Sequence, residues 1–250
     1  LVRNTEARFT FHASLNARPV WSPDGSRIVF NSNRRAGRFD LYHKNASGAG
    51  QDELLVESNN NKSPTQWSWD GKFLVYEEFD PKAKNDLWVL PMDGDRKPVL
   101  FLQTEFHEIQ GQLSPDSRWM AYTSDESGRR EVYVRPFPAG APNKWKISTA
   151  GGEQPRWRRD GKELVYLAPD RKLMAVAVKA VAGPKPAFEA GAPEALFDAR
   201  VPPAVGALAP FQYEVAADGK RFLIVTSGGE TAEVPITVVL NWQRAVTSAK

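Results

Sequence analysis

The feature that most constrains the fold of this sequence is a short turn motif that recurs at nearly constant intervals. Its first copies read WSPDG, WSWDG and LSPDS. Five segments align on one aspartate, with successive spacings of 46, 46, 44 and 58 residues. The aligned aspartates are Asp24, Asp70, Asp116, Asp160 and Asp218. Periods in the forties are typical of propeller blades or of helical repeats, so the pattern inside each unit has to decide between them.

Each unit reads as a series of short strands. The run after the turn is rich in β-branched and aromatic residues, as in RIVF, FLVY, WMAY, ELVY and FLIV. A charged loop and a third strand follow, and a fourth strand is legible in three units as ELLVES, VLFLQT and WKIST. The second strands are apolar at consecutive positions, which indicates sheets that are buried on both faces between neighbours. Since no unit carries helical periodicity, the sequence predicts an all-β fold, a β-propeller.

We predict one domain over residues 1–250 with five four-stranded blades. The predicted blades cover 14–61, 62–107, 108–152, 153–207 and 208–250 plus 1–13. The last unit lacks a fourth strand, and the stretch ARFTFHA supplies a spare strand at 8–13. Pairing of that strand with 236–242 completes the fifth blade and removes an exposed edge. An incomplete six-bladed propeller is the alternative. Between 180 and 210 we predict one strand near 194–197 and irregular loop otherwise.

The repeated aspartate is interpreted as a turn residue and not as part of an active site. The proline before it presets φ, its carboxylate accepts hydrogen bonds from nearby amides, and the glycine after it adopts positive φ. Five copies around a ring point in five directions and cannot converge on one substrate. The carboxylates Asp40, Asp86 and Glu131, each at the start of a third strand, recur in register and are interpreted as structural too.

Composition excludes several classes of function. The chain has no cysteine, which excludes disulfides, thiolate metal sites and cysteine nucleophiles. A net charge of +3 is too small to indicate nucleic acid, and alternation places the arginines of the basic run 156–162 on the solvent side of a hairpin. No stretch approaches 18 apolar residues, so we expect no membrane-embedded segment. We expect a monomer that binds a protein, a peptide or a small polar ligand, and no nucleic acid.

The candidate binding residues lie on the innermost strands, which line the channel of a propeller. Three positions before the apolar anchor of each repeat the sequence has a polar residue or proline, namely Arg18, Pro64, Gln110, Gln154 and Gln212. Two positions further back, Lys62 and Glu108 add charge. A guanidinium and three amides suit a polar or anionic ligand group. We therefore predict that Arg18, Lys62, Gln110, Gln154 and Gln212 bind a ligand at the channel mouth. A hydrated channel with satisfied side chains is the alternative.

Signals for catalysis and for metals are sparse. His107 and Glu108 form the one candidate catalytic pair, as a general base and an orienting acid. The three histidines occupy non-equivalent repeat positions, so convergence on a metal is not expected. The loop SDESGRRE lacks the spacing of a calcium loop, and no G-x-S-x-G elbow, H-E-x-x-H helix or phosphate-cradling glycine loop occurs. We predict no cofactor. A metal ion such as calcium bound in the channel is the alternative.

A family resemblance adds to this interpretation. The segments PVWSPDGSRIVFNSNRRAGRFDLY, GQLSPDSRWMAYTSDESGRREVYVRPFP and QPRWRRDGKELVYLAPDRKLMAV resemble the TolB-like propeller repeats of bacteria. More narrowly, they resemble the C-terminal propeller segment of bacterial receptor-type serine/threonine kinases, and the ending PITVVLNW is similar to the usual ending of such segments. The resemblance implies a propeller, excised from a larger periplasmic or extracellular protein. It carries over neither phosphotransfer nor a lipoprotein partner, because the shared residues are turn and core positions.

Two functional hypotheses follow. The first is a non-catalytic sensing or interaction module that binds a polar ligand, a peptide or a glycan at the channel mouth. The second is a small hydrolase of the esterase, lactonase or glycosidase type at the same place, because propellers host such enzymes as well. A convergent cluster of histidine and carboxylates distinguishes the two, and the sequence offers only His107 and Glu108.

Overall fold

The chain folds into a series of antiparallel β-sheets. The computed structural model describes residues 8–80, 84–138, 143–181, 186–203, 210–226 and 237–239. Within these ranges it has twenty strands and no helix, and the strands form five sheets. We number the sheets blade 1 to blade 5 in chain order. The described residues contain no helix that is long and apolar enough to span a bilayer.

Blades 1 to 3 are four-stranded sheets in which strand order follows chain order. The strands of blade 1 are β1 (Asn16–Trp21), β2 (Arg27–Arg35), β3 (Arg38–Asn45) and β4 (Glu53–Val56). Those of blade 2 are β5 (Asn61–Trp67), β6 (Phe73–Phe79), β7 (Asn85–Pro91) and β8 (Val99–Leu102). Those of blade 3 are β9 (Glu108–Leu113), β10 (Trp119–Ser124), β11 (Glu131–Pro136) and β12 (Trp145–Lys146).

Blades 4 and 5 depart from this plan. The strands of blade 4 are β13 (Glu153–Trp157), β14 (Glu163–Leu167), β15 (Lys172–Val181), β16 (Ala187–Ala190) and β17 (Glu194–Asp198). The long β15 pairs with β17 through its first half and with β16 through its second half. The prediction of a single strand between 180 and 210 is therefore wrong. Blade 5 contains β18 (Tyr213–Val215), β19 (Phe222–Ile224) and β20 (Thr237–Val239).

The hydrophobic core is divided into four clusters, one between each pair of successive blades. The apolar anchor that precedes each turn faces the preceding blade. Trp67 of blade 2, for example, packs with Val29 and Leu41 of blade 1. Because neighbouring blades cover both faces of a sheet, consecutive residues such as Leu74 and Val75 are both fully buried. This arrangement is the predicted β-propeller.

In the part of the chain that the structure describes, no blade precedes blade 1, and the first face of blade 1 is only partly covered. The anchor Trp21 is 58% exposed, whereas its equivalents in blades 2 to 4 are buried. Farther out on the same face, the ring of Phe9 lies edge-on to Phe30 at 6.3 Å, and Nζ of Lys44 donates to the carbonyl of Phe9 at 3.1 Å. Among the described residues, no hydrophobic cluster joins blade 5 to blade 1.

The predicted closing strand at 8–13 is wrong. These residues form no strand, and they lie on blade 1 instead of beside β20. The aromatic face of blade 1 accounts for this placement, because Phe9 finds a partner there while Phe11 stays 71% exposed. Residues 236 and 240–242 of the predicted partner strand lie outside the described residues. Blade 5 therefore shows three strands in its described part, and an N-terminal fourth strand is not among them.

Candidate functional site

A pocket of about 590 Å³ is lined mainly by residues on or next to the first strands of the five described blades. Its walls are dominated by aromatic rings and prolines. Trp21 and Trp69 are the large aromatic side chains of this lining that stay substantially exposed, at 58% and 40%. The charged groups of the lining are Arg18, Glu77, Arg156 and Glu214. A concave, largely apolar pocket with a few convergent polar groups is the usual form of a ligand site.

The predicted polar residues, three positions before the anchor of each blade, lie at an irregularity in the first strands. Arg18, Gln110 and Gln154 have φ of 55°, 60° and 59°, in the left-handed region. Each lies where the pairing of the first strand with the second shifts register. Such a conformation costs of order 1–3 kcal/mol for a non-glycine residue, so the surroundings have to stabilise it. The pattern thus marks a shared backbone feature of the blades.

The glutamines of this register stabilise the irregularity in the next blade. Oε1 of Gln110 accepts the backbone N–H of Gln154 at 2.8 Å, and Oε1 of Gln154 accepts that of Gln212 at 2.7 Å. Glu77 plays the same part for the N–H of Gln110, at 2.6 Å. Nε2 of Gln154 donates to Oε1 of Gln212 at 3.0 Å. All three glutamines are buried. Their amides therefore join blades, and ligand binding by them stays a prediction.

Arg18 and Pro64 interrupt this series of amide contacts. An arginine side chain has no acceptor, so Arg18 cannot receive an N–H from blade 2. Blade 2 does not need it, because Pro64 in the equivalent position has no N–H. Within the described residues, no hydrogen bond or close ion pair involves the Arg18 guanidinium, and Glu77 acts on it through its charge. Arg18 is therefore a member of the predicted set whose charged side chain is left for the pocket, and Gln110, whose Nε2 is buried without a partner, lines the pocket as well.

Glu77 is a pocket residue that the sequence analysis missed. It lies on β6, is buried, and lines the pocket. Burial raises the pKa of Glu77 to about 7, while the N–H of Gln110 and the charge of Arg18 act in the opposite direction. The available signal was its position, since Asn31 and Thr123 are polar at the equivalent place after an apolar run.

Arg156 is a second residue whose position was not predicted. It is buried on β13, and its Nε lies 3.1 Å from a carboxylate oxygen of Glu214. The guanidinium carbon lies 3.4 Å from the centroid of the Phe211 ring. The interpretation of 156–162 as a solvent-facing run is wrong for this residue, because it faces the axis. Arg159, three residues further along the same basic run, is exposed. Its guanidinium carbon lies 5.2 Å from the centroid of the Trp69 ring in blade 2.

Lys62 lies between blades and not in the pocket. Its side chain is fully buried, and Nζ lies 3.2 Å from Oδ1 of Asp40. Nζ also donates to the carbonyl of Asn60 at 2.8 Å. The ammonium group thus joins the third strand of blade 1 to the first strand of blade 2. The structure gives Lys62 a structural partner, and its predicted role in ligand binding gains no support from this position.

His107 and Glu108 also lie outside the pocket. Nδ1 of His107 lies within hydrogen-bond distance of the backbone N–H and of Oδ1 of Asn85. Oε1 of Glu108 accepts the hydroxyl of Thr104 at 2.5 Å, and burial raises the pKa of Glu108 to about 7. The described residues contain no group of three or more histidine, cysteine, aspartate or glutamate side chains suited to a metal. A catalytic role for this pair stays a prediction.

Comparison with known proteins identifies the fold. Neither protein-family models nor curated proteins match the sequence. Among solved structures, a putative TolB from Agrobacterium tumefaciens has a TM-score of 0.57 at 20% identity, over 71% of this chain and 63% of its own. TolB from Acinetobacter baumannii has a TM-score of 0.58 at 17% identity, over 84% of this chain and 51% of its own. An oligogalacturonate lyase in complex with manganese reaches 0.58 at 12% identity, over 87% and 63%.

These similarities establish the β-propeller fold and no more. The chain spans 63% and 51% of the length of the two TolB structures. All three identities are below the level at which activity follows from structural likeness. What the chain does has to be inferred from its own pocket.

Proposed function

We propose that this propeller is a non-catalytic binding module whose central pocket holds the anionic group of a peptide, a glycan or another small polar ligand. The observation that carries the proposal is the side chain of Arg18. It lines the pocket, and no described residue hydrogen-bonds to it or forms a close ion pair with it. A guanidinium with free donors binds a carboxylate or a phosphate through two parallel hydrogen bonds.

The apolar walls define the rest of the ligand. Trp21, Trp69 and Phe211 surround the same space as Arg18. Aromatic faces contact apolar side chains, proline rings and the flat faces of sugars, and they need no polar partner from the ligand. The volume of about 590 Å³ is within the range of small-molecule sites. A ligand with one anionic group and an apolar body fits this combination best.

The setting of the module is part of the proposal. We place it in the periplasm or outside the cell, as a monomeric sensing part of a larger protein. The support is the resemblance of its repeats to propeller segments of receptor-type serine/threonine kinases, together with the TolB-like fold. Detection of the protein in a periplasmic or surface fraction, and a monomeric mass by light scattering, test these two statements separately.

The binding experiment uses the tryptophans of the pocket as reporters. A short N-acetylated peptide without tryptophan is titrated as the free acid and as the amide, and an acidic trisaccharide is compared with its neutral analogue. The acid forms should perturb tryptophan fluorescence, and Arg18→Met should weaken their binding by about 10- to 100-fold, because a charged hydrogen bond contributes about 1.5–3 kcal/mol. Arg38→Met is the matched control, since Arg38 is exposed on β3.

The outcome that contradicts the proposal is equally specific. One such result is equal affinity of the acid and neutral probes, and another is an equal loss of affinity in the Arg18 and Arg38 variants. Either result would show that the Arg18 guanidinium does not recognise the ligand. Binding of the acid probes that leaves tryptophan fluorescence unchanged, and is insensitive to Arg18→Met, places the ligand elsewhere.

Glu77 supports a hydrolase as a second candidate function. A buried carboxyl group with a pKa of about 7 next to an arginine is suited to general acid or base catalysis. A panel of chromogenic esters, lactones and glycosides tests it. Turnover that is lost in Glu77→Gln and kept in Arg38→Met favours a hydrolase. Absence of turnover across the panel, together with binding of the acid probes, favours the non-catalytic module.

A further inference from the structure

The interface between blades 1 and 2 contains a buried ion pair. Asp40 near the start of β3 and Lys62 at the start of β5 lie 3.2 Å apart, and both side chains are almost completely buried. The carboxylate is thus neutralised inside the fold by the ammonium group of the next blade. A buried carboxylate needs such a partner, because removal of its charge from water costs several kcal/mol.

The interface between blades 2 and 3 has a second carboxylate where the first interface has the lysine. Asp86 occupies on β7 the repeat position that Asp40 occupies on β3, opposite the equivalent residue of the second strand. Glu108 on β9 occupies the position of Lys62, since both stand five residues before the anchor of their blade. The substitution of an acid for a base turns an ion pair into a pair of like charges.

Each of these two carboxylates keeps one oxygen without a partner in the described chain. Oδ2 of Asp86 accepts Nε2 of Gln103 at 2.6 Å, while Oδ1 is buried and unpartnered. Oε1 of Glu108 accepts the hydroxyl of Thr104 at 2.5 Å, while Oε2 is buried and unpartnered. Asp86 and Glu108 are themselves 4% and 1% exposed. Buried carboxylate oxygens without a donor are rare in folded proteins, and each calls for an explanation.

The electrostatic surroundings increase the demand for a cation. Burial raises the pKa of both Asp86 and Glu108, and the charge of Asp86 raises that of Glu108 further. Asp80 and Glu78 act in the same direction on Asp86, and Glu126 does so on Glu108. The groups that lower these pKa values are hydrogen-bond donors, and no lysine or arginine is among them.

At the third interface the corresponding carboxylate has its partners within the protein, including a cationic side chain. Glu131 on β11 is fully buried at the corresponding place. It accepts the hydroxyl of Ser148 and the backbone N–H of Gly151, and Arg129 donates to it at 2.8 Å. The next blade contributes Gly152 where blade 3 contributes Glu108, so a second negative charge is missing there. Of the three interfaces, the second is the one with a charge left uncompensated.

We propose that Asp86 and Glu108 bind a hard divalent cation of the calcium type between blades 2 and 3, in the place of the lysine ammonium group of the neighbouring interface. All free donors are oxygens, which calcium prefers and soft metals do not. Two carboxylates do not fill a shell of six to eight ligands, so waters complete it. Gln103 and Thr104 are exposed, which gives an ion a short path from solvent.

The test compares the whole protein in EDTA, in calcium and in magnesium. At a calcium concentration a hundredfold above Kd, the Tm of the wild type should rise by about 5–10 °C. Glu108→Gln should abolish the rise. Glu108→Lys should also abolish it and should raise the Tm in EDTA, because it rebuilds the pair found between Asp40 and Lys62. Glu105→Gln is the matched control, an exposed glutamate three residues away that should keep the full calcium response.

A direct measurement keeps the proposal testable if a variant fails to fold. Terbium luminescence of the wild type should show one site per chain that calcium displaces. The proposal is overturned if neither ion changes the Tm and terbium does not bind. It is overturned as well if Glu105→Gln loses the response as Glu108→Gln does, or if stability depends on pH near 7 in the same way with and without calcium, since the two carboxylates then share a proton.

Discussion

The backbone N–H of Gln154 donates to Oε1 of Gln110 at 2.8 Å, although the two residues stand 44 positions apart in the chain. The contact joins the innermost strands of blades 4 and 3 at the axis, and it repeats between Gln154 and Gln212. The polar register that suggests a ligand site is thus largely a device that fixes each blade against the next. Arg18 does not take part in it, and this separates a binding candidate from structural residues of the same position.

Replacement of Gln154 by alanine should destabilise the fold. The variant leaves the buried N–H of Gln212 without its acceptor and removes a second contact, so the free energy of unfolding should fall by about 2–3 kcal/mol. Urea denaturation followed by circular dichroism measures the loss. Gln51→Ala, in an exposed loop, should change stability by less than about 0.5 kcal/mol. Unchanged stability of Gln154→Ala with loss of probe binding would instead assign the residue to ligand recognition.

Replacement of Asp70 by alanine should affect stability and not binding. Oδ1 of Asp70 accepts the hydroxyl of Ser68 at 2.6 Å and the N–H of Lys72 at 3.1 Å. Loss of these turn contacts should lower the free energy of unfolding by about 1 kcal/mol. Asp93→Ala, on an exposed stretch after β7, is the control. Loss of acid-probe binding at unchanged Tm would contradict the turn interpretation of the repeated aspartate.

The fold was predictable because each repeat contains the same signals for strands and turns. Turn residues, apolar anchors and buried second strands recur together, so chance matches in one unit are corrected by the others. The N-terminal strand was predicted from the single unrepeated stretch ARFTFHA and from the missing fourth strand of the last unit. Phe9 packs on Phe30 there, a contact between segments that local pattern does not reveal. The extra strand β16 was missed for a similar reason, since the length of β15 alone makes room for it.

The candidate site was predictable only in part. The repeat position drew attention to Arg18, which lines the pocket, and to three glutamines whose amide oxygens accept hydrogen bonds between blades. Glu77 was missed because it lies on a second strand, and second strands were expected to be core. The difference between Arg18 and the glutamines depends on Pro64 in the next blade. A sequence shows both residues, but their relation follows from the geometry of the axis.

The N-terminal segment should stabilise blade 1 through one residue. Phe9→Ala removes an edge-on contact with Phe30 and a partly buried ring, and the Tm should fall by an amount that corresponds to about 1–2 kcal/mol. Phe11→Ala should have little effect, because Phe11 is 71% exposed. Differential scanning calorimetry of both variants measures the difference. Equal losses in the two would show that the segment acts through general hydrophobicity and not through this contact.

Glu77 should make stability depend on pH between about 4 and 7. Burial raises its pKa to about 7 in the folded protein, above the value of about 4.3 of an unfolded glutamate. The folded state therefore binds the proton more tightly, so the associated stability is fully present below pH 4 and is lost as the pH rises through 7.

Glu77→Gln keeps an acceptor for the N–H of Gln110 and removes the titration. Its free energy of unfolding, from urea curves at pH 5 and pH 8, should fall less with pH than that of the wild type. In EDTA, where no cation occupies the site between blades 2 and 3, Glu108→Gln removes a different titrating group, so the double variant should flatten the dependence further. A wild type and Glu77→Gln with parallel pH profiles would show that Glu77 titrates at its ordinary pKa.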